Sequence, residues 1–165
     1  MATAFIALGS NLNNPVLQVQ RAMQALAHVP ETQIIAQSSL YETAPIGYED
    51  DALKNIPNFI NAVVKVNTFL QADILLDALF AIENTAGRER PYINAPRVLD
   101  CDLLLYDTLQ MQTPKLTLPH PRMHSRGFVL LPLFEIAPTL SLPNHGKIEA
   151  LLTPELLVGI QKLAP

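Results

Sequence analysis

"RVLDCDLLLY", Arg97–Tyr106, is an apolar run broken by two aspartates. Its length and aliphatic content read as a buried strand, and that reading decides the fold, because it supplies the last strand of a repeating strand–helix order. Alternate residues of a strand share a face, so Asp100 and Asp102 project side by side while Cys101 points the other way. Upstream, "QADILLDALFAIENTAG" reads as a helix with Ile74, Leu75, Leu79 and Ile82 at helical spacing and Gly87 past its end. Before it, "NFINAVVKVNTFL" has the composition of a strand, and "TQIIAQSSLYET" of another. At the start, "TAFIAL" suits a buried strand. Asn14 then offers a helix cap and Pro15 a first helical residue, ahead of Val16, Val19, Met23, Leu26 and Ala27. Downstream, "RGFVLLPLFEIAP" reads as a short helix ended by Pro138, followed by a mostly irregular tail.

The order β-α-β-β-α-β predicts an α+β, ferredoxin-like split βαβ fold. It has a mostly antiparallel four-stranded core sheet, helices packed on one face, and the other face free to build a site. At 165 residues a single domain over 1–165 is expected. Hydrophobic residues make up 49% and charged residues 16%, as in a globular chain, with no apolar run long enough to span a bilayer and no signal peptide evident. A single cysteine excludes an intramolecular disulfide and fits a reducing compartment, so a cytoplasmic location is expected. The formal charge of −4 argues against a nucleic-acid binder built on a basic face. No membrane partner is expected either, and the chain is expected to be a monomer.

Two adjacent carboxylates repel unless a cation neutralises them. Magnesium suits such a pair, since it takes oxygen ligands and is commonly held by one or two carboxylates plus substrate phosphates. Solvation at a strand end is the bland alternative, and the apolar flanks with Arg97 favour the metal. "GRERPYINAPR" carries Arg88, Arg90 and Arg97, whose planar forks grip phosphate oxygens. Next to the aspartates they suit a nucleoside triphosphate with Mg²⁺, although a solvated basic loop fits the composition equally. Little of the segment 86–96 can be buried, which predicts a loop that is mobile alone and ordered by ligands.

"LTLPHPRMHSRGF" adds His120, Arg122, His124 and Arg126, in a spacing that matches no common zinc pattern. "ALGSN" hints weakly at an anion site, with a tight turn an equal explanation for Gly9. Phe59 and Phe128 are core aromatics by default. Asn61 shares the face of Phe59, and an amide between two rings is a possible reader of a flat heterocycle.

In order along the chain, "IALGSNL", "YETAPIG", "FINAVV", "IENTAGRER", "PRVLDCDLLLY" and "LTLPHPRMHSRGFVLLPLFEIAP" resemble the 6-hydroxymethyl-7,8-dihydropterin pyrophosphokinase family of folate biosynthesis. The likeness runs from the first strand to about Pro138, and the tail lies outside it. The resemblance implies transfer of pyrophosphate from ATP to the pterin hydroxymethyl group with release of AMP. It implies that Asp100 and Asp102 hold two Mg²⁺ ions, with Asp102 also a candidate acceptor of the hydroxyl proton. Arg88 and Arg97 match the arginines that engage the phosphates. Glu83, Arg90, Leu103, Lys115, Thr117, His120 and Arg126 match positions around ATP. Thr43, Pro45, Ile46 and Asn61 match the pterin wall, with Phe59 and Phe128 stacking on its two faces.

The chain departs from the family at "INAPR", where "RWGPR" is usual, so Asn94 replaces a tryptophan. Phe80 stands where some members have a glutamine, and Lys115 replaces an arginine. The loop substitution motivates a second reading, a degenerate pterin- or nucleotide-binding relative with weak transfer. A D-x-D glycosyltransferase is poorly supported at this chain length.

Overall fold

The computed structural model describes residues 1–44, 57–87 and 98–164. Strand β1 (Ala2–Ser10) leads through Asn14 into helix α1 (Pro15–Ala27). The Asn14 side chain accepts the Leu17 N–H and Pro15 takes the first helical position, as their sequence order predicts. Strands β2 (Thr32–Gln37), β3 (Tyr41–Thr43) and β4 (Phe59–Thr68) follow, then helix α2 (Ala72–Ala86) capped at Gly87, and strand β5 (Asp100–Tyr106). β1 lies between β4 and β5, and β2 and β3 both pair with β4. Every one of these pairings is antiparallel, the strand order of a split βαβ sheet.

The segment read as one strand from Thr32 to Thr43 is two. β2 pairs the C-terminal half of β4 (Thr32 opposite Thr68), and β3 the N-terminal half (Thr43 opposite Phe59). Ser38 sits in the break, where its N–H donates to the Val63 carbonyl and its hydroxyl accepts the Val63 N–H, both at 2.9 Å. A serine side chain thus replaces one backbone acceptor, and the chain bends without orphaning β4.

Period-two alternation divides the sheet into two apolar faces. Ile6, Leu8, Ala62, Val64 and Cys101 face α1 and α2, where Val19, Leu26, Leu75 and Leu79 are fully buried. Each such side chain contributes about 1.5–3 kcal/mol relative to exposure. Ile74, one of the apolar positions at helical spacing, is 46% exposed, and Leu76 is buried in the stripe instead. The opposite face is not left open along its length. Helix α3 (Gly127–Ile136) crosses it, packing Val129, Leu130 and Leu133 on Phe5, Val63 and Leu104.

A hairpin of β6 (Met111–Gln112) and β7 (Thr117–Leu118) precedes α3, and past Pro138 the tail is ordered, starting with a second hairpin of β8 (Ser141–Leu142) and β9 (Gly146–Lys147). Two single-turn helices, α4 (Ile148–Leu151) and α5 (Pro154–Leu157), lead into β10 (Ile160–Lys162), which extends the main sheet along β3.

Glu135 pins the end of α3 to this edge. Its carboxylate accepts the Tyr41 hydroxyl and the Ser39 N–H and hydroxyl at 2.8–2.9 Å, with Lys162 Nζ at 3.7 Å. Burial pushes the carboxyl up, but the hydrogen bonds from Tyr41 and Ser39, aided by Lys162, outweigh it and hold it below its ordinary value. A carboxyl depressed in the folded state contributes stability above its unfolded value and loses it as pH falls through the folded one. Stability should therefore fall on acidification below the ordinary carboxyl value of 4.5. Glu135→Ala, which strands the buried Tyr41 hydroxyl, should cost about 2–3 kcal/mol in urea unfolding at pH 7, and much of the acid sensitivity should vanish with it.

Candidate functional site

α3 and the tail leave one part of the second sheet face open, a cavity of about 880 Å³. The ladder places Asn61 opposite Gly9 and Gly9 opposite Asp100, so these three form one row across β4, β1 and β5. Asp102 follows on the same face, opposite Ala7, and both aspartates are half-buried. The side-by-side placement read from the D-x-D spacing is what the strand gives, and both carboxylates line the cavity. Gly9 lies inside β1 rather than in a turn before α1. A Cβ there would come 3.2 Å from Asn61 Oδ1, so the missing side chain leaves the floor open between the amide and Asp100.

Among the described residues β5 is an edge strand of the sheet, which leaves its outward backbone groups to other partners. The Cys101 N–H, between the two aspartates, donates to Glu83 Oε2 at 2.7 Å. Glu83 stands in the last turn of α2, so the helix end fixes the strand that carries the carboxylates. Cys101 itself is buried among apolar residues, and burial, with the charges of Glu83, Asp102 and Asp100, pushes its thiol well up. Glu83→Ala should lower turnover about tenfold, the size expected when a positioning hydrogen bond is lost. Glu83→Gln, which keeps an acceptor, should restore most of it, and faster hydrogen exchange at the Cys101 amide should accompany only the alanine variant.

Farther along β5, Leu104 is skipped in the register with β1, and its carbonyl accepts the His120 N–H at 2.9 Å. This bulge docks the "PHPR" loop beside Asp102. The Arg122 N–H donates to His120 Nδ1 at 3.2 Å, which leaves the proton of a neutral imidazole on Nε2. Burial pushes His120 below its ordinary value against the pull of Asp102, and Arg126 and Arg122 add to the depression. Near neutral pH the ring is therefore an uncharged Nε2–H donor.

The other sequence-predicted residues separate by place. Thr43, Phe59, Asn61, Arg126 and Phe128 line the cavity with the aspartates. Asn61 donates to Thr43 Oγ1 at 3.0 Å, and the Arg126 guanidinium lies 5.7 Å from the centre of the Phe128 ring. Phe59 and Phe128 keep part of their surface open, unlike core aromatics. Leu103 points into the α1–α2 core, so only its backbone on the edge strand can reach a ligand. Thr117 lies on β7, and Lys115 ties that hairpin to α2 through Asp77 at 2.7 Å and the Asp73 carbonyl at 3.3 Å. Pro45, Ile46, Arg88, Arg90, Asn94 and Arg97 lie outside the described residues, as does the arginine loop with its expected ordering. His124 stacks on His145 of the β8–β9 hairpin, with ring centres 3.8 Å apart.

The tail supplies cavity residues that the sequence reading missed, Leu156, Val158 and Ile160 among them. They lie in a segment read as irregular, of which only Ile160–Lys162 is strand.

The sequence model of the 7,8-dihydro-6-hydroxymethylpterin-pyrophosphokinase (HPPK) family matches residues 5–138. The chain belongs to the HPPK family. A 2-amino-4-hydroxy-6-hydroxymethyldihydropteridine pyrophosphokinase of Haemophilus influenzae is 45% identical over 152 residues, covering 92% of each chain. Its namesake from Pseudomonas aeruginosa is 42% identical, covering 96% of this chain and 95% of the other. Among solved structures, Plasmodium falciparum HPPK-DHPS superposes with a TM-score of 0.72 at 15% identity, which shows a shared fold. That match covers 98% of this chain but 47% of the other, so this chain spans about half the length of that protein. The described residues include no helix long and apolar enough to cross a membrane.

Proposed function

We propose that this HPPK-family chain transfers the pyrophosphoryl group of ATP to the hydroxymethyl group of 6-hydroxymethyl-7,8-dihydropterin, giving the pterin diphosphate and AMP. One observation carries the reading: a pair of carboxylates, an amide and two partly open aromatic rings line one cavity over one sheet face. The two halves suit the two substrates, a charged polyphosphate and a flat heterocycle. High identity over nearly the full length of the bacterial relatives supports the same chemistry.

Phe59 and Phe128 would hold the pterin between them, and Asn61 with Thr43 would read its hydrogen-bonding edge. Asp100 and Asp102 fit Mg²⁺, since they offer two half-buried oxygen-ligand side chains on one face, and two ions are expected with ATP. Bound there, Mg²⁺ would neutralise charge on the triphosphate. His120 would donate its Nε2–H to a phosphate oxygen, and Arg126 would add positive charge beside Phe128. Asp102 is the candidate acceptor of the hydroxyl proton. Arg88, Arg90 and Arg97 are proposed to engage the triphosphate, and Pro45 and Ile46 to complete the pterin wall. The chain is taken as a single-domain cytoplasmic monomer.

AMP release from ATP and Mg²⁺, followed with and without the pterin, tests the proposal. Pterin-dependent AMP is the expected result. Tight binding of both ligands without AMP would favour the degenerate binder instead.

A further inference from the structure

We propose that the C-terminal strap, residues 155–160, is a third wall of the pterin half of the cavity and determines how tightly the heterocycle is held. The inference rests on the function proposed above and concerns a segment beyond the residues 5–138 matched by the family model.

Four observations carry it. The first is register. Ile160 pairs with Thr43, and Thr43 pairs with Phe59, so the strap, the polar reader and the aromatic wall form one row on the cavity face. The second is a close backbone approach. A Cβ on Gly127 would lie 2.0 Å from the Leu156 carbonyl oxygen, so the strap sits directly on the first residue of α3. The next residue is Phe128, and the position of that ring is therefore set in part by the strap.

Anchoring is the third observation. Lys162 reaches Glu135 at 3.7 Å, and the Leu163 N–H donates to the Leu40 carbonyl at 2.9 Å. The end of β10 and the residue after it are thus tied to α3 and to the residue just before β3. Gly159, at φ +78°, supplies the left-handed bend between α5 and β10 that presents the strap to the cavity. The fourth is Val158. It lines the cavity, yet it is 80% exposed, the highest exposure among the large apolar residues of the described chain. A flat heterocycle seated between Phe59 and Phe128 would cover it with carbon and ring atoms at its margin. Its exposure also makes it a safe site to alter, because no core contact depends on it.

Val158→Asp places a charge against the ring. It should weaken pterin binding about tenfold, the loss expected for one valine-sized apolar contact. Binding of a non-hydrolysable ATP analogue with Mg²⁺ should stay within twofold, and the melting temperature should not change. Val158→Leu should bind pterin like the wild type. Ile160→Ala, one row closer to Thr43, should weaken pterin in the same direction. Titration calorimetry with each ligand separately reads all of these. Unchanged pterin affinity in Val158→Asp, or equal loss for both ligands, overturns the strap while leaving the proposed function standing. A wild-type protein that binds no pterin overturns the function, and the strap with it.

Discussion

Asp100→Asn and Asp102→Asn should each lower the rate of AMP release by about 10³-fold, at the upper end of losses seen when one preorganised electrostatic group is removed. Either change keeps the volume and much of the hydrogen-bonding capacity of the side chain, so the fold is expected to survive. What it removes is one negative charge from a pair that β5 holds on a single face, beside an imidazole that is neutral near physiological pH. A cation bridging the pair and the triphosphate loses an anionic ligand in either variant. The pterin half lies on the same sheet but uses aromatic and amide groups, so pterin affinity should be nearly unchanged. A magnesium titration separates the possible causes. Partial recovery at high Mg²⁺ would mark weakened metal binding, and a flat deficit would mark lost positioning. Chelated wild-type protein that still releases AMP at an undiminished rate would refute the metal role of both residues.

The parts of this fold that were legible in the sequence are those where local pattern and global packing agree. The strand composition of β4, the aliphatic run of β5 and the stripe on α1 each point to one answer, and the structure adopts it. Ile74 fails because helical spacing alone does not say which edge of an apolar stripe meets the sheet. The strand read from 32 to 43 splits because Ser38 can stand in for a backbone acceptor, and propensity carries no trace of that. Of the site, the D-x-D pair was legible because a two-residue spacing on a strand has one geometric meaning. Gly9 was misplaced because its use is tertiary: the absence of a Cβ matters only once Asn61 is known to lie across the ladder. The strap escaped for the same reason, since its three cavity-lining apolar residues reach the sheet only when β10 pairs with β3. Glu83 matched a position around ATP, but its bond to the Cys101 amide depends on the approach of a helix end to an edge strand, which no spacing encodes.

Phe128→Ala should weaken pterin binding about 10- to 100-fold, because stacking a flat heterocycle on an aromatic face contributes roughly 1–3 kcal/mol. The ring belongs to the second residue of α3, and four neighbours fix where it stands. Gly127 meets the strap backbone on one side, Val129 and Leu130 are buried against the sheet on the other, and the Arg126 guanidinium lies over the ring. Such a ring loses little freedom when a ligand stacks on it, so most of the contact appears as affinity. Phe59 stands on β4 in the row of Thr43, and the same substitution there should act in the same direction. Phe128→Tyr retains the face and should bind pterin nearly as well as the wild type. Nucleotide affinity gives the control. Arg126 would lose its partner in Phe128→Ala, but a cation–π contact at a partly exposed site contributes only about 0.5–1 kcal/mol. ATP–Mg²⁺ binding should therefore fall by no more than about fivefold. If both ligands weakened equally and the melting temperature dropped with them, Phe128 would be a packing residue whose loss loosens α3. A selective loss of pterin with an unchanged melting temperature is the outcome that an open, half-exposed ring on a fixed helix start requires.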